Sequence, residues 1–236
     1  MQLSKLENKV YTVLKENNLI IFKIKELYLL LKINKIEAYN IVKALKKKGV
    51  IKKIGGFFVL KDTDDMIIAS NLHFPSYISF WSALSYYGFS DQMPKKIFLA
   101  TTLYKREINS FKYVTLSKKR FFGYKMIGNM VIAELEKSII DSLLFPKYSG
   151  GISEVIKMIK NVFNELEIKK LINYALKIES KSVLRRLGFI LDILKYKGKE
   201  IEKVRKRIGK GYELLDPNLK KRNNLNKKWL LDVNIR

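Results

Sequence analysis

Cysteine is absent from the 236 residues, histidine occurs once and proline four times. No disulfide, no thiolate nucleophile and no sulfur-based zinc site is open to such a chain, and the lack of cysteine fits a reducing cytoplasm. The single imidazole, His73, excludes clustered-histidine metal sites. With no nucleophile and orienting carboxylate close in sequence, it reads as structural. Carboxylates are scarce too: 22 Asp and Glu face 47 Lys and Arg, a formal net charge of +25. That excess predicts attraction to polyanions (DNA, RNA or an acidic protein face) and says nothing about fold. No apolar run approaches the roughly 20 residues that span a bilayer, so no membrane partner is expected. The opening MQLSKLENKVYTVLKENN reads as an amphipathic helix rather than a signal peptide, which makes a cytoplasmic protein the expectation. No motif calls for a cofactor.

What the chain does contain is 47% hydrophobic residues, enough to build packed cores. Its length suits one large domain or two smaller ones. Residues 1–60 read as a unit. Leu6, Val10, Val13 and Leu14 give a first helix of period 3.6, and KIKELYLLL (23–31) a second. Asn34 with Glu37 three residues later is a capping-box signature for a third helix, roughly Lys35 to Lys48, which Gly49 stops. VIKKIGGFFVL (50–60) reads as a hairpin around Gly55-Gly56. Three helices and a hairpin describe a winged helix-turn-helix, placed at residues 1–62. The polar joint KDTDD (61–65) leads to a second domain over 66–236. There MIIASNLHF (66–74) reads as a strand or link and residues 76–88 as a helix. Four strand-like runs between 95 and 133 follow, then four helical segments, a basic stretch and two terminal strands. The fold class expected is α+β: an N-terminal winged helix and a larger mixed domain with antiparallel strands and several helices.

The third helix carries the most chemistry. At 100° per residue Ala38, Ile41, Val42 and Leu45 share one face, suited to packing on the first two helices. The opposite face carries Ile36, Tyr39, Asn40, Lys43 and Lys47, with Lys35 and Lys46 beside it. A DNA-reading helix needs polar groups for base edges, an apolar group for thymine methyls and cations for phosphates. Asn40 suits adenine, Ile36 a methyl group, and the lysines phosphate. Lys52 and Lys53 put charge on the hairpin. Residues 1–60 hold 13 basic and 4 acidic side chains, a net +9, so this unit is denser in positive charge than the rest. Alternatively the KKK run at 46–48 is a solvated helix end, and the unit docks protein.

YISFWSALSYYGF (77–89) packs six aromatic rings into thirteen positions. Tyr77, Phe80, Trp81, Leu84 and Tyr87 would share one face of a helix, with Ser79, Ser82 and Tyr86 opposite, and no cation lies between Phe74 and Met93. Base-stacking platforms interleave rings with cations, so this stretch reads as a core helix. Elsewhere, Glu134, Glu136 and Asp141 are candidates for a Mg²⁺-dependent nuclease, or acids favoured at a helix start, with Asp141 an i+4 partner of Lys137. SGG (149–151) lacks the lysine of a phosphate loop. Arg185 and Arg186 are candidate partner contacts, or snorkelling helix arginines.

PSYISFWSALSYYGFSDQMPKKIFLATT resembles the signature segment of the AbiEi antitoxin family, the regulatory halves of type IV (abortive-infection) toxin–antitoxin pairs. Matching blocks follow in order: AELEKSIIDSLLFPKYSGG (133–151), SVLRRLGFILDIL (182–194), YELLDPNL (212–219) and NKKWLLDVN (226–234). The resemblance implies a non-enzymatic regulator that binds inverted repeats in double-stranded operator DNA, as a monomer or homodimer. It also implies neutralisation, through the larger domain, of a nucleotidyltransferase toxin encoded downstream. DNA contact would fall on the third helix and hairpin.

Overall fold

The computed structural model describes residues 2–90 and 94–235. Residues 91–93, inside the segment that resembles the AbiEi signature, lie outside the described residues. Helix α1 (Lys5–Glu16) starts with a reciprocal cap: the Ser4 hydroxyl accepts from the Glu7 amide, and the Glu7 carboxylate from the Ser4 amide at 2.6 Å. Strand β1 (Ile21–Phe22), helix α2 (Ile24–Leu31) and helix α3 (Lys35–Lys47) follow. The cap anticipated for α3 is present, with Asn34 Oδ1 accepting from the Glu37 amide at 2.9 Å. Gly49, at φ +68°, ends the helix in the left-handed conformation that glycine adopts most easily. Strands β2 (Ile51–Ile54) and β3 (Phe57–Leu60) form an antiparallel hairpin, and β1 pairs along the other edge of β3. Val10, Leu14, Phe22, Leu27, Ala38, Leu45, Ile51 and Phe58 fill the core between helices and hairpin.

Helix α4 (Asp65–Leu72) replaces the strand or link expected at 66–74. Its residues are apolar on most sides and lie beneath a sheet, so no amphipathic period marks it. The Asp64 carboxylate caps it by accepting from the Met66 and Ile67 amides. Strand β4 (Ser76–Ile78) and helix α5 (Phe80–Tyr86) then divide the stretch expected to be one helix. Tyr77 is thus a strand residue, and the chain turns into α5 through Phe80 at φ +56°. Strands β5 (Ile97–Thr101), β6 (Arg106–Ile108), β7 (Phe111–Thr115), β8 (Tyr124–Ile127) and β9 (Met130–Ala133) complete a six-stranded sheet of order β6-β7-β5-β4-β9-β8. The pairs β4–β5, β6–β7 and β8–β9 are antiparallel, whereas β4–β9 and β5–β7 are parallel. The sheet is therefore mixed: the antiparallel strands expected are present, with two parallel pairings among them.

Helices α6 (Leu135–Leu144), α7 (Ile152–Val162), α8 (Ile168–Lys177), α9 (Lys181–Ile193) and α10 (Ile201–Arg205) form the helical layer. Strands β10 (Glu213–Leu214), β11 (Leu225–Asn226) and β12 (Leu231–Asp232) close it with a small sheet of order β10-β12-β11. The fold is mixed α and β, with several helices and mixed sheets. Among the described residues no helix is long and apolar enough to cross a membrane.

Three hydrophobic clusters result, and their borders do not coincide with the polar joint at 61–65. Ile51, Phe58 and Leu60 face the first core, whereas Ile54 and Val59 join the core beneath the six-stranded sheet. The third core is helical and centres on Ile159, Leu187, Leu191 and a fully buried Trp229. Gly188 lies against that indole, where an added Cβ would come within 2.1 Å of a ring carbon.

Candidate nucleic-acid interface

The α3 surface is arranged as its period requires. Ala38, Ile41, Val42 and Leu45 are buried, and Lys35, Ile36, Tyr39, Asn40, Lys43, Lys46 and Lys47 are exposed. Ile36 is 74% and Tyr39 57% accessible. Among the described residues the salt bridges leave Lys35, Lys43, Lys46 and Lys47 without a carboxylate partner. Lys48 is different: it pairs with Glu7 and donates to the Gln2 carbonyl at 3.1 Å, so the KKK run is not uniformly solvated. Beside Asn40 lies a shallow apolar depression lined by Leu6, Ile33, Glu37 and Ile41.

The two hairpin lysines part company, because successive strand residues point to opposite faces. Lys53 shares the helix-side face of β2 with Ile51 and lies over the Phe58 ring at 6.0 Å. Lys52 is half-buried on the other face and pairs with Asp65 at 3.2 Å. Lys53 therefore extends the α3 surface, while Lys52 ties the hairpin to α4.

That tie is one of several. Asn18 and Asn129 exchange side-chain hydrogen bonds of 2.8 and 2.9 Å, and Asn71 Nδ2 donates to the Asn129 carbonyl at 2.8 Å. At the hairpin tip, a Cβ on Gly55 would lie 3.0 Å from Ile108 Cγ2, so β6 stands directly against the turn. These contacts join the hairpin and the α1–β1 turn to α4 and the six-stranded sheet.

The carboxylates considered for metal chemistry are committed elsewhere. Asp141 is fully buried: Oδ1 meets Lys137 Nζ, and Oδ2 accepts from Ser79 Oγ at 2.8 Å and Tyr77 Oη at 3.1 Å. Burial, and then the neighbouring Asp141 charge, pushes the Tyr77 phenol well above its ordinary range. Glu136 pairs with Lys170 at 3.2 Å, and Glu134 accepts from the Tyr174 hydroxyl. Among the described residues no group of three His, Cys, Asp or Glu could hold a metal ion.

Arg185 and Arg186 require correction. They are 1% and 4% accessible, so neither reaches a partner. Arg185 donates to the Ile208 and Lys210 carbonyls at 3.0 and 2.9 Å and pairs with Glu213 at 3.3 Å. Arg186 donates to the Leu143 and Leu215 carbonyls at 2.7 and 2.8 Å. Both guanidinium groups are buried struts between α9 and the chain that follows it, and Arg186 also ties α9 to the end of α6.

Sequence reading missed a second exposed group. Phe74, 76% accessible, precedes β4, and Leu103 and Tyr104, 37% and 72% accessible, follow β5. The His73 ring meets Tyr113 edge-on at 4.8 Å and Tyr104 at 5.9 Å. His73 Nε2 is buried and has no hydrogen-bond partner among the described residues. Burial depresses the imidazole pKa, and the Arg106 charge adds to that. The sequence LYKR (103–106), with a ring beside two cations, was the available signal.

The geometry defines a mixed α/β protein with an exposed cationic helix in a unit tied to a larger body by hydrogen bonds and apolar packing. In fold it is similar to the crystal structure of the RV2827C protein from Mycobacterium tuberculosis. That likeness has a TM-score of 0.66 at 11% identity and covers 98% of this chain and 92% of that one. No protein-family model and no curated protein matches the sequence.

Proposed function

We propose that the chain is a DNA-binding transcriptional regulator whose residues 1–62 form a winged helix-turn-helix, with residues 66–236 as the body. In this reading α2 and α3 are the helix-turn-helix and β2–β3 the wing. The observation that carries it is the outer face of α3. Ile36, Tyr39 and Asn40 stand exposed among four lysines free of carboxylates, opposite a fully packed inner face. Asn40 serves a base edge, Ile36 a thymine methyl, and Lys43, Lys47 and Lys53 phosphates. The resemblance to AbiEi antitoxins supports the wider role: an autoregulating antitoxin that binds operator inverted repeats and counters a nucleotidyltransferase toxin.

Mobility shifts on the duplex upstream of the chain's own coding sequence test the DNA reading. Lys43→Ala and Lys47→Ala should each lower the salt slope by about one, and Asn40→Ala should cost about 1–3 kcal/mol on the preferred sequence only. Unchanged binding by all three would assign α3 to protein docking instead. Co-expression with a nucleotidyltransferase encoded downstream, followed by co-purification, tests the antitoxin role. Undiminished toxicity would end it.

A further inference from the structure

We propose that the depression between the start of α7 and the loop joining β10 to β11 is a binding site for a small polyphosphate, held by its phosphate chain. The site shares no residue with α3, so it adds a ligand to the molecule and does not depend on the DNA reading.

The depression has a volume of about 570 Å³ and is lined by Ser153, Leu219, Lys220, Lys221, Arg222 and Asn234. That size suits a small molecule, yet most small-molecule sites are lined chiefly by apolar and aromatic side chains. Here three of the six lining residues are cations, one is apolar, and none is acidic or aromatic. Lys220, Lys221 and Arg222 are exposed and pair with no carboxylate among the described residues. Arg222 Nη1 donates to the Ile235 carbonyl at 3.3 Å, and its other guanidinium N–H groups remain for a ligand.

The loop is braced from inside by three buried polar side chains. Asp232 accepts from the Arg222, Asn223 and Asn224 amides at 3.2, 2.9 and 3.2 Å. Asn234 Nδ2 donates to the Asp216, Leu219 and Lys220 carbonyls at 2.8, 3.2 and 3.4 Å. Asp216 accepts from the Asn218 and Ile152 amides, both at 2.8 Å, and the second bond joins the loop to α7. Asp216 and Asp232 are 3% and 2% accessible, so their charges are taken up by amides inside the loop. The exposed charge beside the depression is positive. Because Asp216 already occupies the first amide of α7, the attraction comes from the three side chains and not from the helix end. A loop braced before the ligand arrives lowers the ordering cost of binding.

Phosphate is the anion this set matches. A guanidinium group takes two of its oxygens at once, ammonium groups act as point charges, and the exposed Ser153 hydroxyl adds a donor. Adjacent cations around one depression favour several linked phosphates over one. With no ring in the lining, a nucleobase has nothing to stack on. Inorganic tripolyphosphate and the phosphate tail of a nucleoside triphosphate offer the same chemistry.

Isothermal titration of the full chain with sodium tripolyphosphate, adenosine triphosphate and a single-stranded RNA tests the site, at about 0.15 M salt to screen long-range attraction. Tripolyphosphate and adenosine triphosphate should each bind one to one, within about threefold of each other, since no ring is read. Lys220→Ala/Lys221→Ala/Arg222→Ala should weaken both by about a hundredfold. Lys5→Ala/Lys9→Ala/Lys25→Ala removes the same charge from exposed positions on α1 and α2 and should weaken both by less than about threefold. Ser153→Asp keeps every cation and sets a carboxylate in the first turn of α7, where the helix dipole tolerates it; binding should fall about tenfold. Circular dichroism melting curves check that each variant folds. Equal losses in the two triple variants would assign the binding to overall charge and overturn the site. So would an absence of tripolyphosphate binding to wild type, including the case in which RNA alone binds through the three loop cations. A preference for adenosine triphosphate above about tenfold would overturn recognition by the phosphate chain.

Discussion

Asp141→Asn isolates the buried ion pair that joins α6 to β4. Lys137 and Asp141 are both 0% accessible. The carboxylate accepts from Lys137, Tyr77 and Ser79, and the ammonium group also donates to Tyr77 Oη at 2.9 Å and lies 4.9 Å from the Phe122 ring. The substitution removes the counter-charge and keeps the shape. Lys137 is left as a cation in a site closed to solvent, with the neutral Asn carbonyl, the Tyr77 phenol and two ring faces in place of a counter-charge. Breaking one side of a buried pair costs about 3–5 kcal/mol, a large part of the roughly 5–15 kcal/mol that holds a typical domain. Lys137→Met/Asp141→Leu removes both charges and should recover most of that loss, because a well-packed apolar pair replaces the desolvated one. Urea unfolding followed by far-ultraviolet circular dichroism gives midpoint and slope for each variant, and the single variants Lys137→Met and Asp141→Leu complete a double-mutant cycle with wild type and the double variant. An Asp141→Asn cost below about 1 kcal/mol, or a double variant as weak as the single, would refute the picture of a dry, mutually dependent pair.

Three further outcomes follow from the packing. Gly188→Ala drives a methyl group into Trp229 and should destabilise the helical layer by about 1–3 kcal/mol or more, read as a lowered thermal midpoint. Arg186→Met strands the Leu143 and Leu215 carbonyls and should cost about 2–6 kcal/mol in urea, whereas Lys52→Ala, losing a half-exposed pair, should cost less than about 1 kcal/mol. Burial pushes the Tyr87 and Tyr174 phenols up to about 12, so between about pH 10 and 12 the unfolded chain releases protons that the folded chain retains. Stability therefore falls as pH rises through that window, and Tyr87→Phe/Tyr174→Phe should flatten the alkaline limb of a melting-temperature profile.

The α3 cap, its stop and the division of its two faces were readable because capping and a period of 3.6 are local rules. The β2–β3 hairpin was readable for the same reason. Strand β4 was hidden because Ser76, Tyr77 and Ile78 are all buried, with no alternation to mark a strand, while the spacing of Tyr77, Phe80 and Trp81 imitates a helix. Helix α4, covered on most sides, had no amphipathic signal either. Lys137 and Asp141 at i,i+4 look like any surface pair, and only β4, placed by long-range pairing, removes their water. The carbonyls that bury Arg185 and Arg186 come from residues more than twenty positions away. Exposed rings such as Phe74 and Tyr104 have no periodicity to betray them.

Strand β3 turns Phe58 and Leu60 toward one core and Phe57 and Val59 toward another. The N-terminal unit is therefore not an interchangeable cartridge. Grafting a different N-terminal unit onto this body would have to reproduce the apolar contour of Ile54, Phe57 and Val59. Expressed alone, residues 1–62 would carry that contour as a bare, adhesive scar. The outer rim of α3 is the part left free to change, because Ile36, Tyr39, Asn40 and Lys43 can vary without disturbing either core.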